Sequence, residues 1–389
     1  MALLYKEGTT ATVGANVRVD HLLKNALVEA AEEQFLFPLA SKESIPLHTG
    51  KTIKRERIEP MISDKNISAE GIDSTGKTVK GNLWGSSRDV GAITGLLPEI
   101  GEEGGRFNRV GFTKNTISAT IKDYGFFFEY TDDSMQFDDI VDLYQKLCSE
   151  AVKGANKIQE TLLNIDLISV ADATVVFAGK GATDGTRKSL GKDNIITYND
   201  LRKLDRKLTL ARCPYQTKII TGSAKQDTRV VGQGRIAYVG PELETELENL
   251  KDQFGNPAFV SVEHYADAGH ILNGEVGKVG KFRIIMDPYF LHFAGEGAAA
   301  GDDTTIKATG GKCDVFPFLV IGDDACSTVG LASSKAGKFV INEVKPGSSQ
   351  SVNFSDPFGK KGLFSIQFWY GFMAQRPERI GLIYSCAHA

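Results

Sequence analysis

Between Ile140 and Ile165 one apolar face repeats at the spacing of an α-helix. Ile140, Tyr144, Leu147, Ala151, Ala155, Ile158, Leu162 and Ile165 follow one another at steps of 4, 3, 4, 4, 3, 4 and 3. Such steps keep side chains on one side of a 3.6-residue turn. Asp132, Asp133, Asp138 and Asp139 crowd the start, where the helix dipole favours negative charge. A helix of ~30 residues is ~45 Å long at 1.5 Å per residue. That exceeds the usual globular helix, and a helix of this size serves as a structural spine.

The remaining chain reads as parts arranged around that spine. Residues 1–20 are polar and irregular, the pattern of an extended arm. Asp20 is placed to cap a helix carrying Leu23, Leu27, Ala30 and Ala31, which Pro38 ends. Lys51 to Glu59 reads as a strand, with Ile53 and Ile58 set among Lys54, Arg55, Glu56 and Arg57. So charged a strand faces solvent or an interface. Residues 60–110 are glycine-rich and lack periodicity, and a connection this long is uncommon inside a compact domain. Gly111 to Thr131 returns as β structure, alternating at Ile117, Ala119 and Ile121 and again at Phe126, Phe128 and Tyr130. Two strands flanking a long excursion outline an extended, projecting hairpin loop.

Beyond the spine, a glycine-rich linker (AGKGATDGTRKSLGKDN) leads to alternating helices and strands over about 200–290. Leu201, Leu204, Leu208 and Ala211 mark one helical face. Pro241 opens a second helix, PELETELENLKDQ, at the first position that proline favours. TKIITG, GRIAYVG, AFVSV and KFRIIMD read as strands, which makes this an α/β module. The chain closes with β-runs FPFLVIG, GKFVINEVKP, LFSIQFWYGFMAQ and RIGLIYSC, the last two separated by a tight RPE turn. The fold class is α+β.

Several functions are excluded by simple counts. The formal charge of −4 lacks the basic balance of a dedicated nucleic-acid binder. No run of ~18 apolar residues is present, so no helix is expected to span a membrane. The start, MALLYKEGTT, lacks a signal peptide's apolar segment. Cysteines 148, 213, 313, 326 and 386 form no C-x-x-C pair, which fits free, mostly buried thiols in a reducing compartment. His264 and His270 stand six apart, not at a common zinc spacing. Asp64, Asn66 and Ser68 begin like a calcium loop, but Ala69 and Thr75 occupy the places of its glycine and closing glutamate. Asp323 and Asp324 read as a solvated strand end, and Cys213 has no histidine near it in sequence. No catalytic, metal or cofactor residues are assigned.

One stretch argues otherwise. GIDSTGKT, Gly71 to Thr78, fits the phosphate-loop pattern G-x-x-x-x-G-K-[ST]. That chemistry needs a buried strand before the loop and a helix from the lysine onward. SDKNISAE precedes it and is polar; Gly81, Gly85 and Gly91 follow it and disfavour a helix. A nucleotide-binding enzyme using Gly71–Thr78 is therefore the alternative reading, and a coincidental match is the main one. Trp84 sits in the same glycine-rich stretch, either as an interface anchor or in a local knot with Leu83 and Val90. Arg55, Arg57, Trp84 and Arg88 are the candidate subunit-interface residues.

The order of parts resembles the Hong Kong 97-type major capsid proteins of tailed bacteriophages. Several stretches look like the Schitoviridae (N4-like) podovirus branch: GKTIKRER at 50–57, TISATIKDYGFFFEYTDDS at 116–134, GRIAYVGPEL at 234–243, FVSVEHYADAGHILNGEVGKVGKFRII at 259–285 and QRPERIGLIYSCA at 375–387. The resemblance implies an N-arm with a short helix at 1–49 and an extended loop with flanking peripheral-domain strands at 50–131. It implies the spine helix and linker at 132–194, an axial α/β domain at 195–315, and strands returning to a peripheral β domain at 316–389. It further implies hexamers and pentamers of this chain in an icosahedral shell, assembled in the bacterial host cytoplasm. Scaffold, portal and decoration proteins are the other implied partners, with double-stranded DNA packaged without sequence specificity and no membrane.

Overall fold

The computed structural model describes residues 36, 40–46, 48, 50–59, 70–72, 78–80, 90, 112–136, 143–179, 185–220, 228–262, 274–301, 305–331, 339–348, 351–352 and 356–389. The helix expected over Asp20 to Pro38 lies outside them apart from Leu36. The chain divides into two compact units, one of residues 1–49 with 121–389 and one of 50–120.

Early strands are β1 (Ser41–Ile45), β2 (Thr52–Ile58), β3 (Glu70–Ile72), β4 (Thr78–Lys80), β5 (Lys114–Thr120) and β6 (Lys122–Thr131). Helices α1 (Asp132–Gln136) and α2 (Leu143–Ile168) follow, then β7 (Thr174–Phe177) and α3 (Tyr198–Leu210). Next come β8 (Gln216–Ile220), β9 (Thr228–Val239), α4 (Glu244–Glu248), β10 (Phe259–Ser261), β11 (Glu275–Val279) and β12 (Phe282–Met286). The last are β13 (Ala308–Thr309), β14 (Lys312–Cys313), β15 (Phe316–Ile321), β16 (Cys326–Leu331), β17 (Val340–Val344), β18 (Lys361–Ala374) and β19 (Ile380–Ser385).

The larger unit is built on two sheets. The first has eight strands in the order β10-β11-β12-β9-β15-β19-β7, with β8 also paired to β9. Its strands alternate cleanly, as a pleated sheet covered on both faces requires. Ile236, Tyr238, Leu319, Ile321 and Leu382 face one core, and Ala237, Val239, Phe318, Val320 and Ile383 face another. Leu201, Leu204 and Leu208 of α3, with Leu243 and Leu247 around α4, pack into the second core. Helix α3 starts at a capping box: Thr197 accepts from the Asp200 N–H, and Asp200 accepts from the Thr197 N–H. Helix α4 ends at Glu248, short of the helix expected to run on to Gln253. Past that point the backbone turns to a different partner, with the Leu250 carbonyl accepting from Ala258 N–H at 2.8 Å and Lys251 bridging Pro257.

The second sheet has five strands in the order β1-β16-β18-β17, with β6 also paired to β18. Its inner face is aromatic. Phe364 stacks on Phe128 at 5.1 Å, Tyr124 stacks on Phe368 at 5.9 Å, and Tyr144 of α2 meets the Phe364 ring edge-on at 6.3 Å.

The β-rich end is shared between the two sheets: β15, paired to β9, and β19, paired to β15 and β7, lie in the eight-stranded sheet, while β16, β17 and β18 lie in the five-stranded one. The expected RPE turn is a 3-10 turn at Pro377–Arg379, and it carries the chain from β18 in one sheet to β19 in the other.

The spine is also modified. Helix α2 is described from Leu143 and has 26 residues, helix α1 precedes it, and residues 137–142 lie outside the described set. It is ~39 Å long at 1.5 Å per residue, enough to cross from one sheet to the other. Tyr144, Cys148, Ala151 and Ala155 are buried as expected. Further along, Ile158 and Ile165 are 37% and 48% exposed, and the buried positions become Gln159, Glu160, Leu163, Asn164 and Leu167. The apolar stripe stays on one side of the helix, whereas the face against protein rotates between the two sheets. Two hydroxyls secure the far end: Tyr370 donates to Asp166 Oδ2 at 2.8 Å, and Tyr384 donates to the Ile168 carbonyl at 3.1 Å.

Candidate subunit interface

In the unit of residues 50–120, β2 and β5 form an antiparallel ribbon that pairs Arg55 with Ile117 and Arg57 with Asn115. Side chains alternate across a ribbon, so Ile53, Arg55 and Arg57 share one face, and Glu59 beyond the strand continues it. Ala119 and Glu59 are buried on that face, at 3% and 4% exposure. Glu59 is held by Arg57 Nε at 3.3 Å and by the Asn115 side-chain amide at 3.1 Å. Arg57 is thus engaged within its own chain.

The opposite face carries Thr52, Lys54, Glu56 and Ile58 with their partners Thr120, Ser118, Thr116 and Lys114. All eight are exposed. Glu56 pairs with Lys114, and Thr52 and Thr120 share a hydroxyl hydrogen bond of 3.1 Å. Ile58 is 66% exposed, a large apolar side chain among charges. This face is exposed throughout, whereas the face of Arg55 and Arg57 is covered at Ala119 and Glu59. A period-two count back from Glu59 separates the two faces. Trp84 and Arg88 lie outside the described residues.

The phosphate-loop alternative is corrected by the backbone. Gly71 and Ile72 belong to β3, Thr78 begins β4, and Ile72 pairs with Thr78 across an antiparallel ribbon. Residues 73–77 are outside the described set. A phosphate loop delivers its threonine into the first turn of a helix, where N–H groups converge on the phosphates. Here the threonine enters a strand.

Other candidate chemistry is quiet. All five cysteines are free and buried. Burial pushes the Cys148 thiol up to about 11 and the Cys326 and Cys386 thiols up to about 12, away from the reactive thiolate. Among the described residues, no three histidine, cysteine or carboxylate side chains gather as a metal site. No helix among them is long and apolar enough to cross a membrane.

The phage capsid protein family matches residues 114–374, from the start of β5 to the end of β18. The chain belongs to that family. The major capsid protein of Pseudomonas phage KPP21 is 40% identical over 383 residues, spanning 98% of this chain and 95% of its own. The capsid of Ralstonia phage GP4 superposes with a TM-score of 0.55 over 98% of this chain and 95% of that one, at 10% identity. So low an identity speaks for the fold alone, and it is the α+β capsid fold expected from the order of parts. The matched segment of this capsid protein includes the ribbon strand β5, the spine α2 and all the strands of the five-stranded sheet except β1. The role of a capsid protein is structural, and its functional sites are surfaces that other copies meet.

Proposed function

We propose that this chain is the major subunit of a tailed-phage head, closing in many copies into an icosahedral shell around double-stranded DNA. The observation that carries this reading is the 40% identity, kept over nearly the whole chain, to a protein named a major capsid protein. Hexamers and pentamers are the units of such a shell, formed in the cytoplasm of the host. Scaffold, portal and decoration proteins are its further partners, and the N4-like podoviruses are the branch that its motifs favour. In this reading residues 50–131 are the extended loop with its flanking strands, α1 and α2 are the spine, and 195–315 with parts of the eight-stranded sheet make the axial domain. The ribbon β2–β5 meets a neighbouring subunit through Thr52, Lys54, Glu56 and Ile58.

Negative-stain microscopy and sedimentation of the expressed chain test the proposal. Closed shells, rings of five or six, or megadalton sheets are the expected species. A chain that stays monomeric at every concentration, alone or with its phage's other head proteins, overturns it.

Reversing Arg55 and Arg57 together is a poor probe of the ribbon, because it replaces the guanidinium that holds the buried Glu59 with an acid. Lys54→Glu is cleaner, since Lys54 lies on the exposed face. An exposed ion pair is worth only ~0–1 kcal/mol, but a shell repeats it in every subunit. Lys54→Glu is expected to lower shell yield while leaving the melting temperature within a degree or two, the range of a neutral surface change of about 0.5 kcal/mol. Unchanged yield would remove this face from the interface.

A further inference from the structure

Two of the five cysteines meet. Strands β15 and β19 run antiparallel, with Phe316 opposite Ser385. Next along, Lys307 joins the two chains. Its N–H donates to the Ala387 carbonyl, and its carbonyl accepts from the Asp314 N–H, each at 3.0 Å. Cys386 and Cys313 each stand one residue before a partner of Lys307. Both are 0% exposed, and they share a core with Ile306 and Val315. There the Cys386 thiol is in hydrogen-bond contact with the Cys313 side chain. The other three thiols keep different company: Tyr144 and Glu343 act on Cys148, Arg235 and Arg379 act on Cys213, and Cys326 is packed in the core.

The two sulfurs sit on backbones of unequal tenacity. Cys313 belongs to β14, where its N–H donates to the Ala298 carbonyl and its carbonyl accepts from the Gly297 N–H, both at 2.9 Å. Beyond β19 the chain is held by isolated bridges, Ile195 with Cys386 and Ile306 with His388. The His388 N–H also donates to Glu246 Oε1 at 3.0 Å. Single bridges open more readily than continuous ladders, so the segment 386–389 is the part that can admit a small reagent to the pair.

We infer that Cys313 and Cys386 form a redox latch, in which oxidation by a small disulfide joins the two sulfurs and ties the segment 386–389 to the β13–β14 hairpin. The steps balance. Cys386 loses its thiol proton, and its sulfur attacks one sulfur of oxidised glutathione, releasing one glutathione thiolate. Cys313, deprotonated in turn, attacks the Cys386 sulfur and releases the second. One Sγ–Sγ bond forms, the oxidant's S–S bond is reduced, and its two thiols carry away the two protons. The attacking species is a thiolate. Burial holds the Cys386 thiol at about 12, so the closed segment stays reduced and its opening gates the reaction. The inference needs only the folded chain and does not depend on the capsid reading.

Oxidised glutathione added to the folded chain tests it. Thiols that remain free are alkylated in denaturant, and peptides are mapped without reductant. The expected product has two fewer free thiols than the five present. Its map holds a linked pair of peptides carrying Cys313 and Cys386, about 2 Da lighter than the sum of the two. Five free thiols after prolonged exposure overturn the latch. So does a glutathione adduct on Cys386 that never resolves, or a link to any other cysteine. Amide hydrogen exchange reads the mechanical half of the inference. Exchange from Cys386 to Ala389 is expected to slow several-fold in the oxidised chain and to recover with dithiothreitol. Exchange that stays the same in both forms means that the bond does not hold the segment, and the latch fails.

Discussion

Phe364→Ala lowers the free energy of unfolding by about 3–5 kcal/mol, the usual cost of deleting a buried aromatic ring. Phe364 is 1% exposed in the first third of β18. Its strand neighbours are Phe128 on β6 and Glu343 on β17, and its ring touches both Phe128 and Tyr144. Removing it opens a cavity where the spine helix, β6 and β18 meet. The pairing of β6 with β18 limits how far the two strands can close the gap. The measurement is denaturant unfolding of the dissociated subunit, with Phe127→Ser as the control. Phe127 lies on the opposite face of β6 and is 61% exposed, so its loss is expected to cost no more than about 0.5 kcal/mol. Equal losses for the two variants would mean that the aromatic face is not the core of this sheet.

Glu275→Ala is expected to cost about 3–5 kcal/mol, because it strands a buried guanidinium. Arg283 on β12 donates to Glu275 on β11 through Nε at 2.7 Å and through Nη2 at 2.5 Å. Both residues are more than nine-tenths buried. The pair itself adds little net stability, since desolvating two charges offsets most of their attraction. The double replacement Glu275→Leu with Arg283→Met should therefore recover most of the single variant's loss. Denaturant midpoints of the three proteins decide the matter. A double variant no more stable than Glu275→Ala would mean that the pair is needed for more than mutual neutralisation, with the bulge between Glu275 and Gly277 the first place to look.

Much of this architecture is local and can be read from the chain. Thr197 and Asp200 announce the start of α3, and Leu201, Leu204 and Leu208 give its buried face. The strands of the sheet cores stand out as β-branched and aromatic runs. What is not local is harder to read. RIGLIYSC reads as a strand, but nothing within it says that its neighbours are β15 and β7 rather than the adjacent β18. Helical spacing identified the stripe containing Ile158 and Ile165 but not what lies against it, because periodicity describes one helix and burial needs two surfaces. The ribbon shows the same limit at a smaller scale. Period-two counting divides the face of Arg55, Arg57 and Glu59 from the face of Lys54, but which of the two is covered is clear only from the burial of Ala119 and Glu59.

The placing of β19 has a consequence for how the subunit is made. Among the described residues, strand β7 finds its strand partner only there, with Thr174 opposite Gly381 and Phe177 opposite Tyr384. At ~5–20 residues per second a ribosome needs roughly 10–40 s to make the stretch between them. Throughout that interval β7 has an open edge, and α2 lacks the hydroxyls of Tyr370 and Tyr384 that fix its far end. A growing chain therefore cannot offer neighbours a finished surface. Synthesis of β18 and β19, rather than of α2 and β7 alone, sets the moment at which the eight-stranded sheet closes at β7 and the far end of α2 is held.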